Sequence, residues 1–265
     1  MDIVRIGSLY EIFELQNRYL SKVKLDSDFW FRGQADCEWI LLPTLARLAK
    51  QKQLSRAKIL KLENNIAMLF AASSSSIVDI EKIFSLEVSR QLHNGRINIQ
   101  AQWPLLQHFS APTRVLDWSE QFFVALYFAC NSHFESDGGL WVLDIEKSKQ
   151  YTIKNYPLFK QEHLFGEDSE SIVLTMATFL TNERLKAQSG RFTVGTNPLA
   201  NHNDFMDMAG AITKVVIPKD LKIDILRKLW YSNVNAKTLF PGIDGLGKYL
   251  TEFSLLWEIG RASCR

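Results

Sequence analysis

A chain of 265 residues, 46% hydrophobic and 23% charged, suits one large domain that buries its core without disulfides or a structural metal. Its 31 basic and 29 acidic residues leave a net charge of +2, which excludes a global electrostatic case for nucleic acid or anionic membranes; only a local basic cleft stays open. Cys37, Cys130 and Cys264 form no C-x-x-C pair, no run of about 18 apolar residues occurs, and the N-terminus lacks a signal peptide's apolar stretch, so the expectation is a cytoplasmic protein without membrane span, disulfide framework or metal site.

In chain order, residues 1–25 read as a strand, Ile3 to Ile6, and a helix capped by Ser8, with Glu11 completing a capping-box pattern. Phe29 to Arg32 reads as an aromatic strand and Glu38 to Leu42 as a second short one ended by Pro43. Helical spacing then runs from Thr44 to about Gln102, broken near Ser73–Ser76, and a further helix begins at Trp103-Pro104. Thr113 to Trp118 reads as a strand emerging at a cleft, Ser119 as the cap of the apolar helix ending near Ala129, and Leu140 to Asp144 as the next strand. The stretch from Lys147 to Asp168 reads as an irregular loop or lid, Arg191–Val194 and Ile212–Ile217 as strands, Lys219–Val234 as a helix, and the residues after Gly245 as a final short helix. No G-x-G-x-x-G follows a strand and no P-loop occurs, so Rossmann and Walker sites are unsupported.

This order predicts an α+β fold with mixed, mostly antiparallel small sheets forming a cleft, and a helical insertion between the first strands and the central motif. We expect residues 1–25 to pack on a core of residues 26–135, and residues 136–257 to complete the same domain. Glu258 to Arg265 resembles the translation of a sequencing-adapter oligonucleotide; an ordinary polar tail is the alternative, and no site residue is expected there.

Several side chains suit a polar ligand. Arg32, on an apolar strand before Gly33 and Gln34, offers a planar, permanently charged fork for phosphate or carboxylate; the alternative is a buried Arg32–Asp117 ion pair that holds two strands together. Gln107 and His108 lie just before the cleft strand, where His108 is either an acid–base or ribose-orienting group or a satisfied structural donor. Thr113, Arg114, Asp117 and Trp118 line that strand, with Trp118 equally suited to ring stacking or core packing, and Ser119 to a helix cap or a ligand-facing hydroxyl. Gln188, Gly190 and Phe192 fit either a further wall or a turn. Lys50, Lys52, Arg56, Lys58 and Lys61 have helical spacing and read as a solvated face, which leaves nucleic-acid handling the weakest of the functional classes.

The segments Phe31-Arg32-Gly33-Gln34 and Gln107-His108-Phe109-Ser110-Ala111-Pro112-Thr113-Arg114-Val115-Leu116-Asp117-Trp118-Ser119, followed by Ala125-Leu126-Tyr127-Phe128-Ala129, resemble the FRG domain over residues 28–130. Ser110 stands where that family usually has glycine, and Arg184 to Thr193 and Leu239 to Leu246 resemble pieces found after such domains. More distantly, the order of an arginine strand, a serine strand and a later polar position is similar to ADP-ribosyltransferases of the arginine–serine–glutamate class. That resemblance implies NAD as substrate, catalytic roles for Arg32, Ser119 and Gln188, a macromolecular acceptor, and an effector role in phage defence or toxicity. Gln188 in place of glutamate implies weak turnover or binding alone, because an amide stabilises an oxocarbenium-like transition state less than a carboxylate. A non-catalytic module sensing a nucleotide-like small molecule is the competing expectation.

Overall fold

The structure, a computed structural model, describes residues 1–21, 29–74, 103–104, 106–107, 110–159, 171–176 and 183–262. His108 and the polar stretch 160–168 lie outside these residues. The chain runs through β1 (Asp2–Arg5), α1 (Leu9–Leu20), β2 (Phe29–Gln34), α2 (Thr44–Gln51), α3 (Arg56–Ser74), β3 (Val115–Ser119), α4 (Phe122–Cys130), β4 (Gly138–Asp144) and α5 (Ile145–Asn155). It continues through β5 (Val173–Met176), α6 (Glu183–Ala187), β6 (Gly190–Gly195), α7 (His202–Met208), β7 (Ile212–Ile217), α8 (Lys222–Tyr231), α9 (Ala236–Leu239) and α10 (Ile243–Ala262).

The fold is α+β, as expected, but the strands join in one seven-stranded sheet of order β1-β7-β4-β2-β3-β6-β5 rather than in separate small sheets. Only β1 and β7 pair in parallel. Strand alternation sorts two cores onto the two faces. Phe31, Leu140, Val142 and Val215 point to one face and pack under α1, α4, α8, α9 and α10. Trp30, Leu116, Trp118, Trp141, Leu143 and Ile212 point to the other, with Ile145 of α5 and Phe205 and Met206 of α7.

Helix α4 shows why the centre is built as it is. Phe122, Val124, Ala125, Leu126, Tyr127, Ala129 and Cys130 are all buried, so it is apolar on every side and must lie inside the molecule. It rests directly on the sheet because two glycines lie beneath it. A Cβ on Gly33 would stand 1.9 Å from the Ala125 carbonyl oxygen, and one on Gly138 2.4 Å from that of Ala129. Buried Cys130 is a core residue, its thiol pushed up to about 12 by burial.

Other elements differ from the sequence reading for identifiable reasons. The Ser8 cap is present, its hydroxyl accepting from the Glu11 amide while the Glu11 carboxylate accepts from Gly7 N at 2.9 Å. Residues 38–42 form no strand: Leu41 N donates to Asn203 Oδ1 at 2.6 Å and Leu41 O accepts from His202 N at 3.0 Å, so the start of α7 uses the backbone groups a strand neighbour would need. The expected loop after Lys147 is in fact α5, capped by Asp144, whose side chain accepts from Lys147 N. The expected short terminal helix is α10, 20 residues long. No helix among the described residues is long and apolar enough to cross a membrane.

Candidate functional site

The sheet opens between β2 and β3. β2 pairs with β4 along all of Phe29–Gln34, yet its register with β3 is the single pair Phe31 opposite Ser119. Beyond that pair the strands diverge, and Arg32 spans the gap. Its Nη1 donates to the Asp117 carbonyl at 2.6 Å and lies 3.8 Å from Asp117 Oδ2. The side chain of Arg32 is 18% exposed and that of Asp117 51%, so the pair is neither sealed in the core nor a free surface contact.

Asp117 is the centre of a polar cluster. Gln107 Nε2 donates to its Oδ2 at 2.9 Å, and the Thr113 hydroxyl donates to Gln107 Oε1. Thr113 is held in turn by Thr44, whose Oγ1 accepts from Thr113 N at 3.0 Å and donates to Thr113 O at 3.2 Å. This chain from the first turn of α2 to β3 aims the carboxylate outward. Arg32 lies against it, and the Asp117 charge also reaches Arg47, which donates to Leu42 O, and Arg184, which lies over the Phe240 ring. Burial lowers the pKa values of Arg32, Arg47 and Arg184, and the Asp117 charge opposes that shift in each, while Arg47 adds to the lowering at Arg32. Guanidinium groups stay protonated through such shifts, so the cluster carries an excess of two positive charges around one solvent-facing carboxylate. Arg32 Nε is buried with no hydrogen-bond partner among the described residues.

The remaining candidates divide. Ser119 and Gln188 come beside Arg32, on β3 and just before β6, but their polar atoms are already used. Ser119 Oγ donates to the Gln188 carbonyl at 2.7 Å and accepts from Gln121 N at 2.9 Å, and Gln188 Nε2 donates to Leu239 O at 3.0 Å. Ser119 therefore ends the strand and caps the turn into α4, two residues before the helix cap at Gln121. Gln34 is buried, accepting from Trp141 Nε1 at 2.5 Å and donating to Ile40 O at 3.3 Å.

Trp118 is buried, its indole N–H bonded to Thr193 Oγ1 at 2.9 Å, which realises core packing rather than ring stacking. Arg114 is fully buried, with Nε 2.7 Å from Glu63 Oε1, Nη1 3.1 Å from Thr196 O and its guanidinium 5.0 Å over Trp103. Thr113 and Phe192 are buried as well. Burial takes Gln34, Thr113, Arg114, Trp118 and Phe192 off any solvent-facing wall. Gly33 makes room for α4, not for a ligand, and Gly190 for Leu185, whose Cδ1 would lie 2.2 Å from an added Cβ.

The sequence model of the FRG domain family matches residues 27–138. The chain contains an FRG domain. The matched span covers β2, α2, α3, β3 and α4, and so includes Arg32, Arg47, Gln107 and Asp117. Arg184 and Gln188 come from residues beyond it, so the cluster around Asp117 is completed by chain outside the FRG domain. No curated protein and no solved structure matches the chain. Arg47 and Arg184 are the site residues that sequence reasoning did not single out. Arg47 stands behind the Phe31–Gln34 segment, within residues 28–130 of the family resemblance, and Arg184 opens the later Arg184–Thr193 piece, so an arginine in the first turn after Pro43 and another ahead of the Gln188 turn were the available signals.

Proposed function

We propose that this FRG-domain protein binds an anionic, nucleotide-like small molecule at the opening between β2 and β3, as a binding module. The observation that carries the reading is the cluster itself: Arg32 lies against an outward-facing carboxylate whose charge also acts on Arg47 and Arg184, so planar forks can contact phosphate oxygens and Asp117 can accept from a sugar hydroxyl or an amide. Arg47 and Asp117 are exposed, so a ligand reaches them without opening the core.

Cleavage of NAD is the second reading. What favours it is the neighbourhood of Arg32 on β2, Ser119 on β3 and Gln188 just before β6, three adjacent strands of the sheet, the order found in arginine–serine–glutamate transferases. Against it, the Ser119 hydroxyl and the Gln188 amide are consumed by structural hydrogen bonds. The effector role in phage defence or toxicity rests on the family resemblance alone.

Titration calorimetry with NAD and ADP-ribose, alongside an assay for released nicotinamide, tests both readings. Binding without nicotinamide release is expected, with Arg47→Ala weakening the dissociation constant about tenfold and Arg32→Ala more, as loss of charge-assisted contacts does. Affinity should fall as salt rises. No binding of either compound would overturn the proposal, and nicotinamide release abolished by Arg32→Ala would transfer it to the enzymatic reading.

A further inference from the structure

Helix α10 has two apolar faces, and among the described residues only one of them is covered. On the inner face, Gly245 lies against Phe240, Tyr249 stacks on Trp230 at 4.1 Å, Glu252 receives the Tyr127 hydroxyl and Leu256 is buried. On the outer face stand Ile243, Leu246, Leu250, Phe253 and Trp257, between 40% and 79% exposed. Their separations of three, four, three and four residues are the heptad spacing of a helix seam that receives another helix. Scattered exposed hydrophobic residues are ordinary, whereas an unbroken seam over four turns marks an interface.

We propose that this seam pairs with the same seam of a second copy of the chain, in antiparallel orientation about a two-fold axis near Leu250. Two features of the helix favour an identical partner. The first is shape: Ile243, Leu246 and Leu250 are aliphatic and Phe253 and Trp257 aromatic, so antiparallel pairing sets Trp257 against Ile243 and Phe253 against Leu246. Parallel pairing would set indole on indole. The second is what borders the seam: Gly247, Thr251 and Ser254 are exposed, small and uncharged, so an identical helix meets neither like charge nor bulk as it approaches. The five side chains offer on the order of 500 Å² per copy, about 1,000 Å² for the pair, the lower limit of a specific interface, so pairing in the micromolar range is expected. An isologous contact of this kind closes at two copies.

Sedimentation equilibrium of the full chain over a range up to about 100 μM is expected to give twice the single-chain mass of 30.5 kDa. Leu250→Glu, which sets two carboxylates together at the axis, should weaken pairing at least tenfold with the circular dichroism spectrum unchanged. Mixing it with Leu250→Lys should restore the pair, because residue 250 faces itself. If Leu250→Glu loses its helical signal, Phe253→Ser replaces it, with dissociation again expected.

A wild-type chain that stays at single-chain mass overturns the proposal. So does a Leu250→Glu protein that pairs as tightly as wild type, or a mixture of charge variants that does not pair. Each of those results leaves the seam to another segment of this chain or to a different protein.

Discussion

Gly33 and Ser110 are two positions where the backbone makes a demand on the side chain, and they answer it differently. At Gly33 the demand is space, since a methyl group would meet the backbone of α4 at 1.9 Å, and no rotamer relieves a backbone clash. Gly33→Ala should therefore cost about 3 kcal/mol or more in urea unfolding, where a surface glycine would tolerate alanine. At Ser110 the demand is conformation: φ is +62°, in the left-handed region that favours glycine. Ser110→Gly should raise stability by about 0.5–1 kcal/mol, relief of strain exceeding the added freedom of the unfolded chain. A lower midpoint for this variant would refute that account.

The residue scale was legible in the sequence where a motif constrained it. Arg32 and Asp117 were named from it and do meet, though not as the buried pair of the structural alternative, since the Asp117 side chain is half exposed. The role of Gly33 was not legible, because its neighbour Ala125 is 92 residues away in sequence and only the crossing of α4 brings them together. Arg114 shows the same limit. Nothing local distinguishes a strand arginine aimed at solvent from one paired with Glu63, which a helix 51 residues earlier supplies.

Among elements, the buried apolar helix and the strands with clean alternation were readable, and what escaped was structure defined by its partner. α5 is polar over much of its length and buries only Ile145 and Ser148, so its periodicity is too weak to see, although its Asp144 cap lies in plain view. Residues 38–42 have strand composition but give their hydrogen bonds to the start of α7. The corner where α8 begins depends on a residue no pattern marks. Lys222 is fully buried, and its Nζ donates to Ala35 O at 2.6 Å, His133 O at 2.8 Å and Ser132 O at 3.1 Å. One ammonium thus joins the turn after β2 and the turn after α4 to α8. Lys222→Met fills the same space but leaves these carbonyls without their donor, and should cost about 3 kcal/mol with the denaturant slope unchanged. A neutral result would mean that water or neighbouring amides replace the ammonium.

The whole molecule carries a proton linkage through the face opposite α4. His202 is fully buried at the start of α7, with Nδ1 3.1 Å from the Thr193 hydroxyl that accepts from Trp118. Its Nε2 has no partner among the described residues. Burial, and then the charge of Arg32, push its pKa down to about 3 from an ordinary 6.5. In that interval the unfolded chain binds a proton that the folded chain refuses, so stability is complete above pH 6.5 and falls as the pH is lowered. The slope is about 1.4 kcal/mol per pH unit, or about 2 kcal/mol between pH 6.5 and pH 5. Glu252 works in the opposite sense: burial raises its pKa, so its contribution is largest in acid and is lost as the pH rises from 4.5 through the raised value. Comparing wild type with His202→Asn, whose carbonyl oxygen can accept from Thr193 where Nδ1 did, cancels the Glu252 contribution. The variant is expected to lose the slope of about 2 kcal/mol over that window, whatever its absolute stability. Equal slopes in the two proteins would show that His202 takes up its proton in the folded state and that Arg32 lies in a more solvated setting than its contacts imply.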